Sequence, residues 1–270
     1  MSRDIQILVA CHKKSEVPQD PMYLPVHVGA EGKEDIGFVR DDTGDNISGM
    51  NSAFSELTGL YWAWKNLDCR YIGLVHYRRY FTLERNRNKI RRDPLGSVLK
   101  EKELKPLLYT HKIIVPKKRR YYIETIYSHY DHTFDGKQLD TCREVIAEKC
   151  PEYLPDYDDF MARREGYMFN MFIAPKPLAD AYCAWLFDIL FELKERFGSE
   201  GLTDFEKRYP GRVAERLFNV WLLRQLSSGQ MKPGDICEIP YFYAGKVNWI
   251  KKISSFISAK LFGRKYTKSF

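Results

Sequence analysis

Two apolar runs with a helical pattern between them constrain this chain most. Ile5–Ala10 reads as a buried strand and Tyr71–His76 as another. Between them, Asn51 to about Asn66 carries Phe54, Leu57, Tyr61 and Trp64 three or four residues apart, the inward stripe of an amphipathic helix. Strand, helix and strand in that order predict an α/β fold with a mostly parallel central sheet flanked by helices. Tyr23–Val28, held by Pro21 and Pro25, is a further extended segment, and the turn formers of 40–49 predict a loop.

Downstream, 84–106 is charged and reads as an exposed loop with a short helix, and Lys112–Val115 as a strand closed by Pro116. The segment 121–149 has helical character. Residues 151–166 interrupt it with two prolines and an acidic cluster, Asp156, Asp158 and Asp159, which reads as a solvated turn. A strand over 167–176 and helices over 178–197 and 211–226 complete a helical C-terminal portion.

At 270 residues with 44% hydrophobic and 14% aromatic residues, the chain can bury a large core. The six cysteines form no Cys-x-x-Cys pair and read as reduced thiols of a cytosolic protein. The apolar run Ile5–Cys11 is too short for a signal sequence, and no stretch approaches the roughly 18 apolar residues of a membrane span. The net charge of +7 is concentrated: residues 241–270 hold seven Lys or Arg and no acid, so the rest balances at 36 cations against 36 acids. A neutral body argues against a nucleic-acid binder. Residues 1–245 therefore read as one domain and 246–270 as a tail. In that tail Trp249, Ile250, Ile253, Phe256, Ile257 and Leu261 fall near one helical face with lysines around the rim. A basic amphipathic helix of this kind lies on anionic membrane surfaces, each cation contributing about 1 kcal/mol. Packing of the same face on the domain is the alternative.

The strand at 71–76 runs directly into His76, Tyr77, Arg78 and Arg79. Burying unpaired charge is costly, so these guanidinium groups need a partner. Ligands in open α/β sheets bind outside the carboxyl ends of strands, and paired arginines match phosphate oxygens. Strand alternation would put Arg78 with His76 on one face and Arg79 with Tyr77 on the other. Pairing with Asp45 or Glu56 is the structural alternative. Asp41, Asp42, Asp45, Asn46, Ser48, Asn51 and Glu56 cluster around a helix start, which suits either capping or a polar ligand. His129 and His132, three apart, could bind metal but read more simply as solvated. Glu215 sits beside an apolar stripe, where a carboxylate can serve as a base or pair with Arg212 or Arg216. Walker, Gly-x-Gly-x-x-Gly, Gly-x-Ser-x-Gly and His-Glu-x-x-His motifs are all missing.

DDTGDNIS, MNSAFSELTGLYWAWKN, YIGLVHYRRYF, YMFNMFIAPK with AYCAWLFDIL, and GRVAERLFNVWL occur in order over roughly residues 5–245. In these the chain resembles a family of bacterial capsule, exopolysaccharide and O-antigen glycosyltransferases long catalogued as a domain of unknown function. The resemblance implies a GT-A-like transferase taking galactose or galactofuranose from a UDP-sugar to a lipid-linked glycan, in the cytoplasm at the inner face of the membrane, which residues 246–268 would contact. It departs from GT-A enzymes in having His-Tyr-Arg-Arg where those place an Asp-x-Asp metal motif. The expectation is metal-independent chemistry, with Arg78 and Arg79 neutralising the diphosphate and His76 beside them. Mn²⁺ or Mg²⁺ at the 41–45 loop is the other route. By carry-over Asp42, Asp45, Asn46, Asn51 and Tyr77 line the donor pocket, Glu56 braces an arginine, Tyr167 and Asn170 shape the acceptor side, and Glu215 or Asp159 supplies a base. A non-catalytic peripheral membrane scaffold, its arginines on lipid phosphate, is the competing class.

Overall fold

The computed structural model describes residues 4–244. The chain begins with β1 (Ile5–Cys11), β2 (Tyr23–His27) and β3 (Val39–Arg40), then α1 (Asn51–Phe54) and α2 (Leu57–Asn66). β4 (Tyr71–His76) and β5 (Arg79–Phe81) follow, then α3 (Glu101–Thr110), β6 (Ile113–Pro116) and β7 (Arg119–Arg120). Next come α4 (Ile126–Thr133), α5 (Lys137–Lys149), α6 (Leu154–Ala162), β8 (Glu165–Gly166) and β9 (Phe172–Pro175). α7 (Lys176–Phe197), α8 (Tyr209–Ser227), β10 (Ile236–Ile239) and β11 (Tyr241–Tyr243) complete the described chain.

The main sheet runs β10-β6-β9-β4-β1-β2-β3, with β5 and β11 paired off the edge of β4. β1 lies parallel to both β2 and β4, and β6 parallel to β10, while β9 is antiparallel to β4 and β6. The expected mostly parallel α/β sheet is present, with one reversed strand inside it. From β1 the chain steps outward through β2 and β3, then returns to the opposite side of β1 as β4. That reversal opens a crevice at the carboxyl ends of β1 and β4, where Ala10 stands in register with His76.

Both sheet faces are covered, which explains why β1 is apolar apart from Gln6, whose amide donates to the Ile5 carbonyl (2.9 Å). Leu8, Ala10, Ile72 and Leu74 face a cluster built with α2, α5, α6, α7 and α8, including Phe187, Leu190, Leu217 and Trp221. Ile5, Ile7, Val9 and Val75 face a second cluster with Tyr80, Phe81, Leu99 and Leu104. Each such large apolar side chain contributes about 1.5–3 kcal/mol on full burial.

Four local expectations are corrected. The helix at 51–66 breaks at Ser55, whose backbone adopts φ 51° and ψ −127°. The 151–166 segment is largely helical, because Pro151 and Pro155 occupy first-turn positions where a missing N–H costs nothing. Its Asp156 is buried and accepts a hydrogen bond from Ser227. The strand at 167–176 is confined to Phe172–Pro175, preceded by Phe169 and Asn170 in left-handed backbone (φ 77° and 53°). Finally, β4 does not continue through the arginines: Tyr77 and Arg78 make a turn, and Arg79 returns antiparallel opposite His76. Side-chain alternation therefore does not govern the arginines. The amphipathic tail, residues 246–270, lies outside the described residues. Among the described residues no helix is long and apolar enough to cross a membrane.

Candidate functional site

The crevice at the β1/β4 switch point is a cleft of about 580 Å³. His12 follows β1, Val28 and Lys33 follow β2, and His76, Arg78 and Arg79 come from the β4–β5 turn. Asn51, Ser52, Ser55 and Glu56 supply one wall from α1 and the break after it; Phe205, Arg208, Gly211, Arg212 and Glu215 supply the other. Five Lys or Arg side chains thus face two carboxylates, so the cleft is a basin of positive potential.

Neither Arg78 nor Arg79 makes an ion pair with any described carboxylate. Arg78 is exposed and lies 5.2 Å from the Tyr77 ring centroid. Arg79 is half-buried, its guanidinium 4.5 Å from the Phe169 ring centroid and 5.4 Å from that of Tyr243, and its Nε is buried without an acceptor. Stacking on aromatic faces supports a cation without neutralising it. Across the cleft Arg212 is built the same way. It lies 4.2 Å from the centroids of both Phe134 and Phe205, donates to the Phe205 carbonyl through Nη2, and leaves Nη1 buried and unpartnered. Burial pulls the Arg212 pKa down to about 10, which still leaves it charged. Buried donors without acceptors are rare in folded proteins, and both belong to arginines that line this cleft.

His76 accepts the Arg78 backbone N–H at Nδ1 (3.2 Å). Burial and then the neighbouring Arg79 and Arg78 push its pKa down to about 3, so it stands neutral and can contribute a hydrogen bond but no charge. Tyr77 falls outside the lining; its ring packs edge-on against His12 (5.2 Å between centroids). His12, Lys33, Arg208 and Arg212 line the cleft without having been expected there.

The acidic loop plays a different part. Asp41 is fully buried and accepts from Gly29 N (2.8 Å), Ala30 N (3.0 Å), Ser48 Oγ (2.5 Å) and Thr58 Oγ1 (2.6 Å), tying the exit of β2 to the start of α2. Gly29 has φ +64°, and a Cβ there would lie 2.4 Å from Asn51, so glycine alone permits this junction. Asp42 pairs with Arg40 (2.6 Å), Asp45 accepts from Tyr61 (3.2 Å), and Asn46 caps its own loop by accepting from Ser48 N (3.1 Å). These three are not in the cleft lining. Asp41 and Asp42 have both carboxylate oxygens engaged by protein donors, whereas Asp45 is exposed and lies 4.0 Å from Lys65. Among the described residues no group of three His, Cys, Asp or Glu could hold a metal ion.

Asn51 lines the cleft, and its Nδ2 donates to the Ser55 carbonyl (2.7 Å) and Thr58 Oγ1 (3.2 Å). Glu56 lines it as well but braces no arginine: its hydrogen-bond donor is Asn170 Nδ2 (2.9 Å). Asn170 is buried directly behind Glu56 and also donates to the Gly211 carbonyl (3.2 Å). Glu215 lines the opposite wall and accepts from Arg216 Nη1 (3.1 Å). Asp159 lies away from the cleft on α6, paired with Arg163 (2.6 Å). Tyr167 is buried and donates to Glu238 (2.6 Å), again away from the lining. His129 is buried against Tyr121 (4.1 Å between centroids), while His132 is exposed and bonds Glu124, so the two do not converge.

Fold and cleft together define an α/β protein with an anion-receptive site at the switch point of its sheet. Residues 6–226 match the family described as Domain of unknown function (DUF4422), and the chain belongs to that family. Its fold superposes, with a TM-score of 0.81 and 28% sequence identity, on a solved chain described as "WbbM bifunctional glycosytransferase apo structure". The alignment covers 90% of this chain but only 46% of that one, so this chain spans less than half of the neighbour's length. No curated protein sequence matches.

Proposed function

We propose that this chain is a glycosyltransferase that moves a sugar, galactose or galactofuranose, from a UDP-sugar to a lipid-linked glycan in bacterial surface polysaccharide synthesis. The likeness in fold to a protein described as a bifunctional glycosyltransferase supports the reaction class. The observation that carries it is the set of five Lys or Arg side chains lining one cleft at the sheet's switch point, with Arg78 and Arg79 paired to no described carboxylate. A volume of about 580 Å³ falls within the range that holds small ligands. In this reading the donor diphosphate lies against Arg78 and Arg79. Negative charge grows on the leaving UDP as the glycosidic bond breaks, and fixed cations placed there lower that barrier without a metal. Neutral His76 donates or accepts a hydrogen bond beside them. Acceptor delivery from the inner membrane surface is assigned to the basic residues 246–268, whose +7 charge suits anionic lipid.

The test is incubation of the full-length chain with a panel of UDP-sugars and lipid-linked acceptors, with released UDP measured with and without exhaustive chelation. Acceptor-dependent UDP release from one sugar, unchanged by EDTA, is the expected result. No release from any UDP-sugar overturns the transferase reading, and strict dependence on Mn²⁺ or Mg²⁺ overturns the role given to the arginines.

A further inference from the structure

Transfer to a hydroxyl requires a group that accepts its proton. The cleft offers two carboxylates, Glu56 and Glu215, because Asp159 lies elsewhere. Glu215 is already held by Arg216, a buried guanidinium 3.1 Å away. An ion-paired carboxylate is a weak base, since taking a proton would strand its buried partner. Glu56 forms no ion pair with any described residue, and its Oε1 is held by a neutral amide, Asn170 Nδ2, at 2.9 Å.

The backbone on both sides of that contact is unusual. Ser55, immediately before Glu56, adopts φ 51° and ψ −127°, a region that glycine alone enters freely. Its carbonyl is pinned by Asn51 Nδ2 and the Thr58 backbone N–H (2.7 and 3.3 Å). Without this break α1 and α2 would be one helix, and Glu56 would not stand at its interruption on the cleft wall. Opposite, Asn170 is itself left-handed at φ 53° and anchored to the Gly211 carbonyl. Two strained residues from separate segments therefore fix one carboxylate, which packing alone does not require.

Building on the proposed transferase function, we infer that Glu56 is the catalytic base that takes the proton from the acceptor hydroxyl. The acceptor oxygen forms its bond to the anomeric carbon as the bond from that carbon to the UDP oxygen breaks. The bonding pair leaves with UDP toward Arg78 and Arg79, and the hydroxyl proton moves to the Glu56 carboxylate. A single displacement of this kind inverts the anomeric configuration. Asn170 is a positioning residue that holds Oε1. Burial raises the Glu56 pKa, Asn170 and Arg79 pull it back, and Glu215 raises it. The remaining charged or titratable groups facing the cleft are His12 after β1, Lys33 after β2, His76 and Arg78 at the β4–β5 turn, and Arg208 and Arg212 at the start of α8.

The experiment compares the full-length wild-type chain with Glu56→Gln and Glu56→Asp, measuring sugar transfer, UDP binding and product configuration. Glu56→Gln should lose about 10²–10⁴-fold in kcat with UDP affinity within threefold of wild type, and Glu56→Asp should fall between. The wild-type kcat profile should lose activity with acid above the ordinary carboxylate range, and Asn170→Asp should move that limb upward by adding a like charge. Should Glu56→Gln not fold, the wild-type profile and the inverted product still decide. Retention of a tenth or more of wild-type turnover by Glu56→Gln, or a product of retained configuration, overturns the assignment. Failure of the wild-type chain to transfer any sugar strikes instead at the transferase function.

Discussion

Asp41→Asn should destabilise the fold severely, although it only replaces one carboxylate oxygen with an NH₂ group. The carboxylate accepts four hydrogen bonds, two at each oxygen: Ala30 N and Ser48 Oγ at Oδ1, Gly29 N and Thr58 Oγ1 at Oδ2. An amide keeps Oδ1 and puts an NH₂ where Oδ2 stood. The Thr58 hydroxyl can rotate to accept, but the Gly29 N–H is fixed by its φ of +64° and would face another donor. Losing one charge-assisted bond costs about 1.5–3 kcal/mol, and stranding a buried donor about 1–3 more, giving about 2.5–6 kcal/mol together. For a chain of this size each kcal/mol lowers Tm by about 2–3 °C, so the midpoint should fall by about 5–18 °C. The comparison variant is Asp42→Asn on the same loop. It loses only a partly exposed pair with Arg40, worth about 1 kcal/mol or less. Thermal unfolding followed by circular dichroism measures both. A drop of under 2 °C for Asp41→Asn, or equal drops for the two, would refute the view of Asp41 as the knot between β2 and α2. Because Val28 and Asn51 flank that knot and line the cleft, Asp41→Asn should also weaken UDP binding.

Replacing Arg79 with Ala removes a charged donor from the floor of the cleft. Calorimetric UDP binding should weaken about 10- to 150-fold, the worth of one charge-assisted hydrogen bond, and a change under threefold would count against diphosphate contact there. His129 should make stability fall with acid. Burial, then Arg216 and Arg119, lower its pKa to about 3, whereas in the unfolded chain it titrates near 6.5. The unfolded chain thus binds more protons between these values. The contribution of the neutral imidazole is complete above about pH 6.5 and is lost as pH falls toward 3. Tm measured from pH 7 to pH 4 should fall less steeply in His129→Phe than in wild type, and parallel curves would contradict the assignment.

The two runs at 5–10 and 71–76 were readable because strands covered on both faces are apolar at nearly every position, Gln6 being the exception in the first, and the arginines announced themselves by ending the second. What periodicity could not show was which strand ends are neighbours. His12 became part of the site only because β1 and β4 are adjacent and parallel, and Arg208 and Arg212 because α8 begins over the same crevice. Such long-range neighbours leave no local trace. The loop acids misled for the opposite reason. An Asp beside Gly and Asn has the same composition whether it serves a ligand or its own backbone, and Asp41 serves the backbone.

Ser55 shows why the heart of the candidate site was the least legible part. Phe54, Leu57, Tyr61 and Trp64 keep helical spacing across it, and neither glycine nor proline marks a break. The freed carbonyl is satisfied from both directions, by the Asn51 side chain before it and the Thr58 backbone N–H after it. In a continuous helix the Ser55 carbonyl would accept from Gly59 N–H four residues on; here Asn51 Nδ2 and the Thr58 N–H replace that acceptance and the backbone leaves the helical region. Local propensity and tertiary demand disagree at this one residue, and the disagreement is maintained at a cost in strain. Places where a sequence violates its own local rules are where function is most often kept. Beside this one, the next side chain along the chain is Glu56.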